Sequence, residues 1–239
     1  MVPSRSRGLQ HTLARVLAIG AILLLGVIAV VVILRFPGIL TPTPLSALFL
    51  SGFAITMIAY VAMALYATQT ALLTRQVAFY AALRWGTVVG VLWWIEILEG
   101  NVWRLPGWWL SLLYFGAAIA AYLLPGFAAA LVAWRTSSFR SGLLAGMWTG
   151  MLGSLLTFIG GMSILWLFHA SFLQDPQNLE EFLRSRARGG APDLDTYIVG
   201  DLFAGLIVHL AFIGIVLSAI AGAIGAAIGQ TLHPIGARR

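Results

Sequence analysis

Residues 197–229 read YIVGDLFAGLIVHLAFIGIVLSAIAGAIGAAIG, a run in which Asp201 is the only charge and His209 the only imidazole. About 20 predominantly apolar residues cross a hydrocarbon core, and the buried helix of a water-soluble domain is usually shorter, so the run reads as a transmembrane helix. Five more apolar stretches precede it, at about 17–34, 45–67, 77–98, 108–134 and 142–168. The expected fold is therefore an all-α integral membrane protein, a six-transmembrane-helix bundle. It is read as a single transmembrane domain over 1–239, because no stretch between the spans is long enough to fold apart.

Composition agrees with that reading. Hydrophobic residues make up 60% of the chain and charged residues 9%, with a mean hydropathy of +0.95. A soluble domain needs more polar residues to cover itself. Cysteine is absent, which excludes disulfides, thiolate metal sites and thiol catalysis.

Charge sets the expected orientation. With the N-terminus inside, Arg5, Arg7, Arg15, Arg75, Arg84, Arg135, Arg140, Arg238 and Arg239 fall on the inner side. Arg35, Arg104, Arg184, Arg186 and Arg188 fall outside, together with all eight carboxylates: Glu96, Glu99, Asp175, Glu180, Glu181, Asp193, Asp195 and Asp201. The arginine excess alone gives the inner face. An even number of spans then returns the C-terminus to the cytoplasm. Every basic residue is Arg, and Ala, Gly and Leu are abundant, which points to a GC-rich bacterial genome and so to a bacterial inner membrane. The arginines are scattered over loops, unlike the basic stripe of a nucleic-acid binder, so the expected surroundings are the lipid bilayer and a membrane protein partner or a second copy of the chain.

Local signals refine the spans. The first resembles a signal sequence, but Arg35-Phe36-Pro37-Gly38 stands where a small-x-small cleavage site would be required, so an uncleaved span is expected. Pro125-Gly126 predicts a kink or short break in the fourth. The outer loop, 169–196, holds a short amphipathic helix between spans five and six. Asp175 caps it, Pro176 opens it, Glu180 and Glu181 come early, Arg184 and Arg186 late, and Gly189-Gly190 closes it. Leu179, Phe182 and Leu183 share a face that would pack on the bundle or serve as an outer docking helix.

Glycines mark close packing. Gly142, Gly146 and Gly150 recur every four residues on span five, and Gly222, Gly225 and Gly229 end span six. Small residues at this spacing let helix backbones approach in lipid, within one chain or between chains.

Polar residues inside spans are functional candidates by default. Glu96, His169, Asp201 and His209 form the candidate polar path, weighed against simple structural roles. Asp201 lies near the outer mouth, where His169 or Arg104 could pair with it. His209 is deeper and needs a partner from another helix. Gly161-Met162-Ser163-Ile164 on span five and His209 on span six resemble in part the membrane Ser and His of rhomboid proteases. The chain departs from that family in having Ile after the serine instead of Gly, no large first loop, and the serine on the fifth span instead of the fourth. An intramembrane protease-like enzyme is thus the remote alternative. No metal-ligand spacing, phosphate loop or paired-carboxylate site is present, and no cofactor or catalytic residue is expected. The leading expectation is a non-enzymatic multi-pass protein, an accessory or assembly subunit of a larger membrane complex. Its alternative is a small-solute transporter or permease component with a polar path through helices 3 and 6.

Overall fold

The computed structural model describes residues 4–40, 44–68, 73–103, 107–187 and 190–236, and these are 94% helical, with no strand among them. In chain order the elements are α1 (Ser4–Arg35), a 3-10 turn (Pro37–Leu40), α2 (Pro44–Thr68), α3 (Leu73–Leu98) with a π-helical turn (Glu99–Trp103), and α4 (Trp108–Thr136). There follow α5 (Phe139–Leu167), α6 (His169–Leu173), α7 (Pro176–Arg186), α8 (Leu194–Val208), a π-helical segment (His209–Leu217) and α9 (Ser218–Gly236). Among the described residues, four helical stretches are long and apolar enough to cross a membrane: Val77–Trp103, Leu112–Thr136, Phe139–Leu167 and Leu194–Leu232. Shorter apolar stretches lie in α1 at Ile19–Arg35 and in α2 at Ser51–Tyr66.

The helix α5 is the hub. Its apolar window is 72% buried, against 33% for each of the other three long stretches. It packs on α3, α4, α9, the π segment and α1, while α1 and α2 lie side by side. Phe158, Met162, Leu155 and Leu165 are fully enclosed on it. Glycine makes this possible, because a hub touched from many directions needs backbone within reach of backbone. A Cβ on Gly142 would strike the Ala129 carbonyl, Ala133 and Ala226. One on Gly146 would strike Gly222 and the Pro125 carbonyl, and one on Gly150 would strike Ser218. From the facing helix, Gly222 abuts the α5 backbone at Leu143 and Gly146, whereas Gly225 and Gly229 abut α4 at Gly126 and Ala130. All six glycines thus line seams within this chain.

Outward, the bundle is apolar. Phe212, Val216, Ile220, Ile224 and Ile228 recur every four residues down the last stretch, each about half exposed. Water opposes a continuous apolar stripe of that kind, whereas lipid accepts it.

Punctuation follows local chemistry. Ser137, in the left-handed region at φ 53°, and Ser138, whose hydroxyl accepts from the Ser141 N–H, turn the chain from α4 into α5. Asp175 caps α7 by accepting from the Gln177 N–H at 3.0 Å, with Pro176 opening the helix, and Asp193 caps α8 by accepting from the Thr196 N–H at 2.7 Å. The helix α7 ends at Arg186, and the Gly190 N–H then bonds the Ser185 carbonyl; Gly189 lies outside the described residues.

Two local features of the spans qualify the sequence reading. Pro125 does not break α4, which runs unbroken from Trp108 to Thr136. Proline still withholds its N–H, so the Ala121 carbonyl loses its helical donor. The last span is not uniform α-helix, because nine residues from His209 to Leu217 are π-helical. Side chains hold that wider turn. The Ser218 hydroxyl donates to the Ile213 carbonyl, five residues back, at 2.8 Å, and the Tyr60 hydroxyl of α2 donates to the Leu210 carbonyl at 3.3 Å.

Candidate functional site

The four polar residues read as a path separate into two places. Near α7, His169 of α6 meets Asp195 of α8, with Nε2 and Oδ1 2.7 Å apart. Both side chains are more than a third exposed, so the pair contributes at most about 1 kcal/mol. His169 is therefore engaged by Asp195 instead of Asp201. Asp201 is itself exposed and has Glu181 and Tyr197 as its charged and phenolic neighbours. Arg104, its other expected partner, lies outside the described residues.

Glu96 and His209 converge elsewhere, at the junction of α3, α4 and the last span. Glu96 lies beside the Tyr114 phenol of α4 and within electrostatic reach of Tyr122, about two turns further along that helix. Tyr122 meets the Trp93 ring edge to face at 5.3 Å, and Trp93 in turn meets the His209 ring edge to face at 4.7 Å. His209 does not find the interhelical hydrogen bond expected of it. Its Nδ1 lies 3.1 Å from the Gly205 carbonyl of its own helix. Its Nε2 is enclosed with no hydrogen-bond partner among the described residues, and so are Trp93 Nε1 and both carboxylate oxygens of Glu99. Glu99, only 1% exposed, begins the π-helical turn that ends α3.

Beyond His209 the polar features continue toward mid-span. A small recess lies between α3, α4, α5 and the last span, lined by Val89, Ala121, Tyr122, Pro125, Ser154 and Ser218 among others. Tyr122 belongs to both the aromatic row and this recess. Unpaired polar atoms in such a setting cost about 1–3 kcal/mol each, which makes a cluster of them costly to keep without a use.

The protease-like pairing is not assembled. The Ser163 hydroxyl donates to the Ile159 carbonyl of its own helix at 2.7 Å, while His209 is held between Gly205 and Trp93. Among the described residues no group of three or more His, Asp or Glu side chains is placed to hold a metal.

On α7, Phe182 turns inward and tilts against Tyr197 at 6.0 Å. Leu179 and Leu183 remain 45% and 55% exposed, so of the three only Phe182 is buried. Glu180 and Arg184 pair along its surface.

Tyr114, Tyr122, Tyr60 and Ser154 escaped the sequence reading, which took Glu99 only as an outer charge and gave Trp93 no part in a site. Two of these carried a usable signal. Trp93 and Glu96 are three apart and share a helix face, and Ser154 extends the Gly142, Gly146, Gly150 register by one more step of four. Comparison of the chain with protein-family models, curated proteins and solved structures finds no match.

Proposed function

We propose that this chain is a non-enzymatic membrane protein of six spans with both ends in the cytoplasm of a bacterial inner membrane, and that it carries protons, alone or coupled to a small solute, along the α3–α4–last-span junction. The observation behind this reading is the row Glu96, Tyr114, Tyr122, Trp93, His209, which gathers titratable and hydrogen-bonding groups from three helices at one seam. Ionisable residues within spans are rare because they are costly, and their default use is a proton or ion path. A π-helical segment beginning at His209 adds a place where the backbone can rearrange. A chain of this size would enclose such a path most readily as a homodimer.

The test is proton uptake into liposomes under a potassium diffusion potential, read with an entrapped pH dye. The wild-type protein should exceed empty liposomes, while His209→Gln and Glu96→Gln should fall to background and still elute as intact protein. Wild-type uptake no faster than empty liposomes would end the proposal.

A second reading, an accessory or assembly subunit of a larger complex, draws support from the exposed Leu179 and Leu183 on α7. Purification from native membranes in mild detergent separates the two. A stable complex that is lost on joint Leu179→Ser and Leu183→Ser substitution favours the subunit, whereas a lone homodimer favours the transporter.

A further inference from the structure

Five residues of α5 carry hydroxyls, and four of them use their donors locally. Ser141 donates to Ser138 Oγ, Thr149 to the Ala145 carbonyl, Thr157 to the Gly153 carbonyl and Ser163 to the Ile159 carbonyl. Ser154 is the exception. Its side chain is 1% exposed, and its Oγ has no hydrogen-bond partner among the described residues. Across Gly214 it faces the Tyr60 hydroxyl, which donates its hydrogen to the Leu210 carbonyl and keeps only acceptor capacity toward Ser154. On its other side Ser154 lines the recess between α3, α4, α5 and the last span.

That recess has a volume of about 10 Å³, the size of one water molecule. Its walls carry the polar partners a water needs. Pro125 leaves the Ala121 carbonyl without a helical donor, and both residues line the recess. Ser218 Oγ, whose hydrogen is committed to the Ile213 carbonyl, keeps acceptor capacity on the same wall. One donor-acceptor hydroxyl, one unmatched carbonyl and one accepting hydroxyl meet the two to four partners that an ordered buried water makes.

We infer that the recess is a binding site for a single ordered water, which joins Ser154 to the proline-freed carbonyl of α4 and to Ser218 at the base of the π-helical segment. The water closes the hydrogen-bond deficit that proline creates in α4 and reaches the hydroxyl that holds the end of the π-helical segment. It therefore ties two irregular stretches of backbone to each other. The site stands on this geometry and does not depend on proton transport.

Crystals of the full chain grown from a lipidic mesophase, at a resolution that shows ordered water, test it. The wild-type density should hold a peak at hydrogen-bond distance from Ser154 Oγ, and Ser154→Ala should lose that peak with the helices in place. If Ser154→Ala fails to fold, Ser154→Cys, which keeps the volume with a weaker donor, should retain the fold and weaken the peak. No peak in a wild-type map that resolves other buried waters overturns the inference. So does a peak unchanged in Ser154→Ala, or one at cation–oxygen distances that vanishes when sodium is replaced by choline. Liposome uptake is scored separately, so an ordered water in a protein without uptake would leave this site standing and remove only the transport proposal.

Discussion

His209 is tied at one nitrogen and open at the other. Nδ1 reaches the Gly205 carbonyl, while Nε2 is enclosed beside the Trp93 ring with no partner among the described residues. A purely structural histidine would use the bond it has and nothing more, so glutamine, which can keep one such contact, would serve as well. A relay needs the second nitrogen, and glutamine cannot pass a proton between two sites. His209→Gln should therefore abolish uptake while leaving elution and thermal midpoint unchanged, and unaltered uptake would remove His209 from the path. Glu99 makes a different prediction. A carboxylate at 1% exposure with no partner among the described residues opposes folding more than its neutral isostere does. Glu99→Gln should raise the thermal midpoint in detergent by a few degrees, on the scale of about 2–4 °C per kcal/mol for a chain of this length. A lowered midpoint would mean that the carboxylate has a partner after all. Sequence could nominate Glu96 and His209 because ionisable residues stand out in apolar runs. It could not pair them, since Trp93 and Tyr122, which lie between them, are unremarkable residues near a membrane surface until three helices are packed.

At the level of elements, the glycine seams give a graded test. Gly150 has no room for a Cβ against Ser218, whereas Gly205 has nothing within 4 Å of that position. Gly150→Ala should cost about 1–3 kcal/mol by overpacking. Gly205→Ala should be neutral or slightly stabilising, because alanine is the better helix former. Thermal unfolding of the two variants side by side measures this, and equal midpoints would contradict the seam. The caps at Asp175 and Asp193 show what local chemistry can specify from sequence, since each needs only an oxygen two or three residues ahead of a free N–H. Asp175 with Pro176 was legible for that reason. The π-helical segment was not, because its determinants come from far along the chain: Tyr60 on α2 reaches the Leu210 carbonyl, and Ser218 is a common residue until its bond five residues back is seen. Phe182 teaches the same lesson on α7. Its spacing with Leu179 and Leu183 predicted one shared face, yet only tertiary packing reveals that Tyr197 takes Phe182 and leaves both leucines outside.

For the whole molecule, the apolar stretches were readable because hydropathy over about 20 residues is a bulk property that little overrides. The central place of α5 was hidden, since its composition differs little from its neighbours and only its glycines hint at contacts on several sides. Orientation follows from charge and is open to a direct measurement. The chain has no cysteine, so a single introduced thiol reports its side of the membrane without a background to remove. Ser137 lies in the turn between α4 and α5, flanked by Arg135 and Arg140, and Ala187 follows α7 on the side that holds Glu180 and Glu181. If arginine excess sets the fold in the membrane, Ala187→Cys should react with a membrane-impermeant maleimide in intact cells, and Ser137→Cys should react only after the membrane is opened. Reversed labelling would invert the bundle, placing Asp201 and the Glu96 end of the row on the cytoplasmic side and turning any proton path around. Labelling of both thiols in intact cells would put them on one side, which needs an even number of crossings between them, whereas the single 29-residue helix α5 lies between Ser137 and Ala187 in a uniformly inserted protein. The observation would then mean that the chain inserts both ways, as an antiparallel pair of copies would.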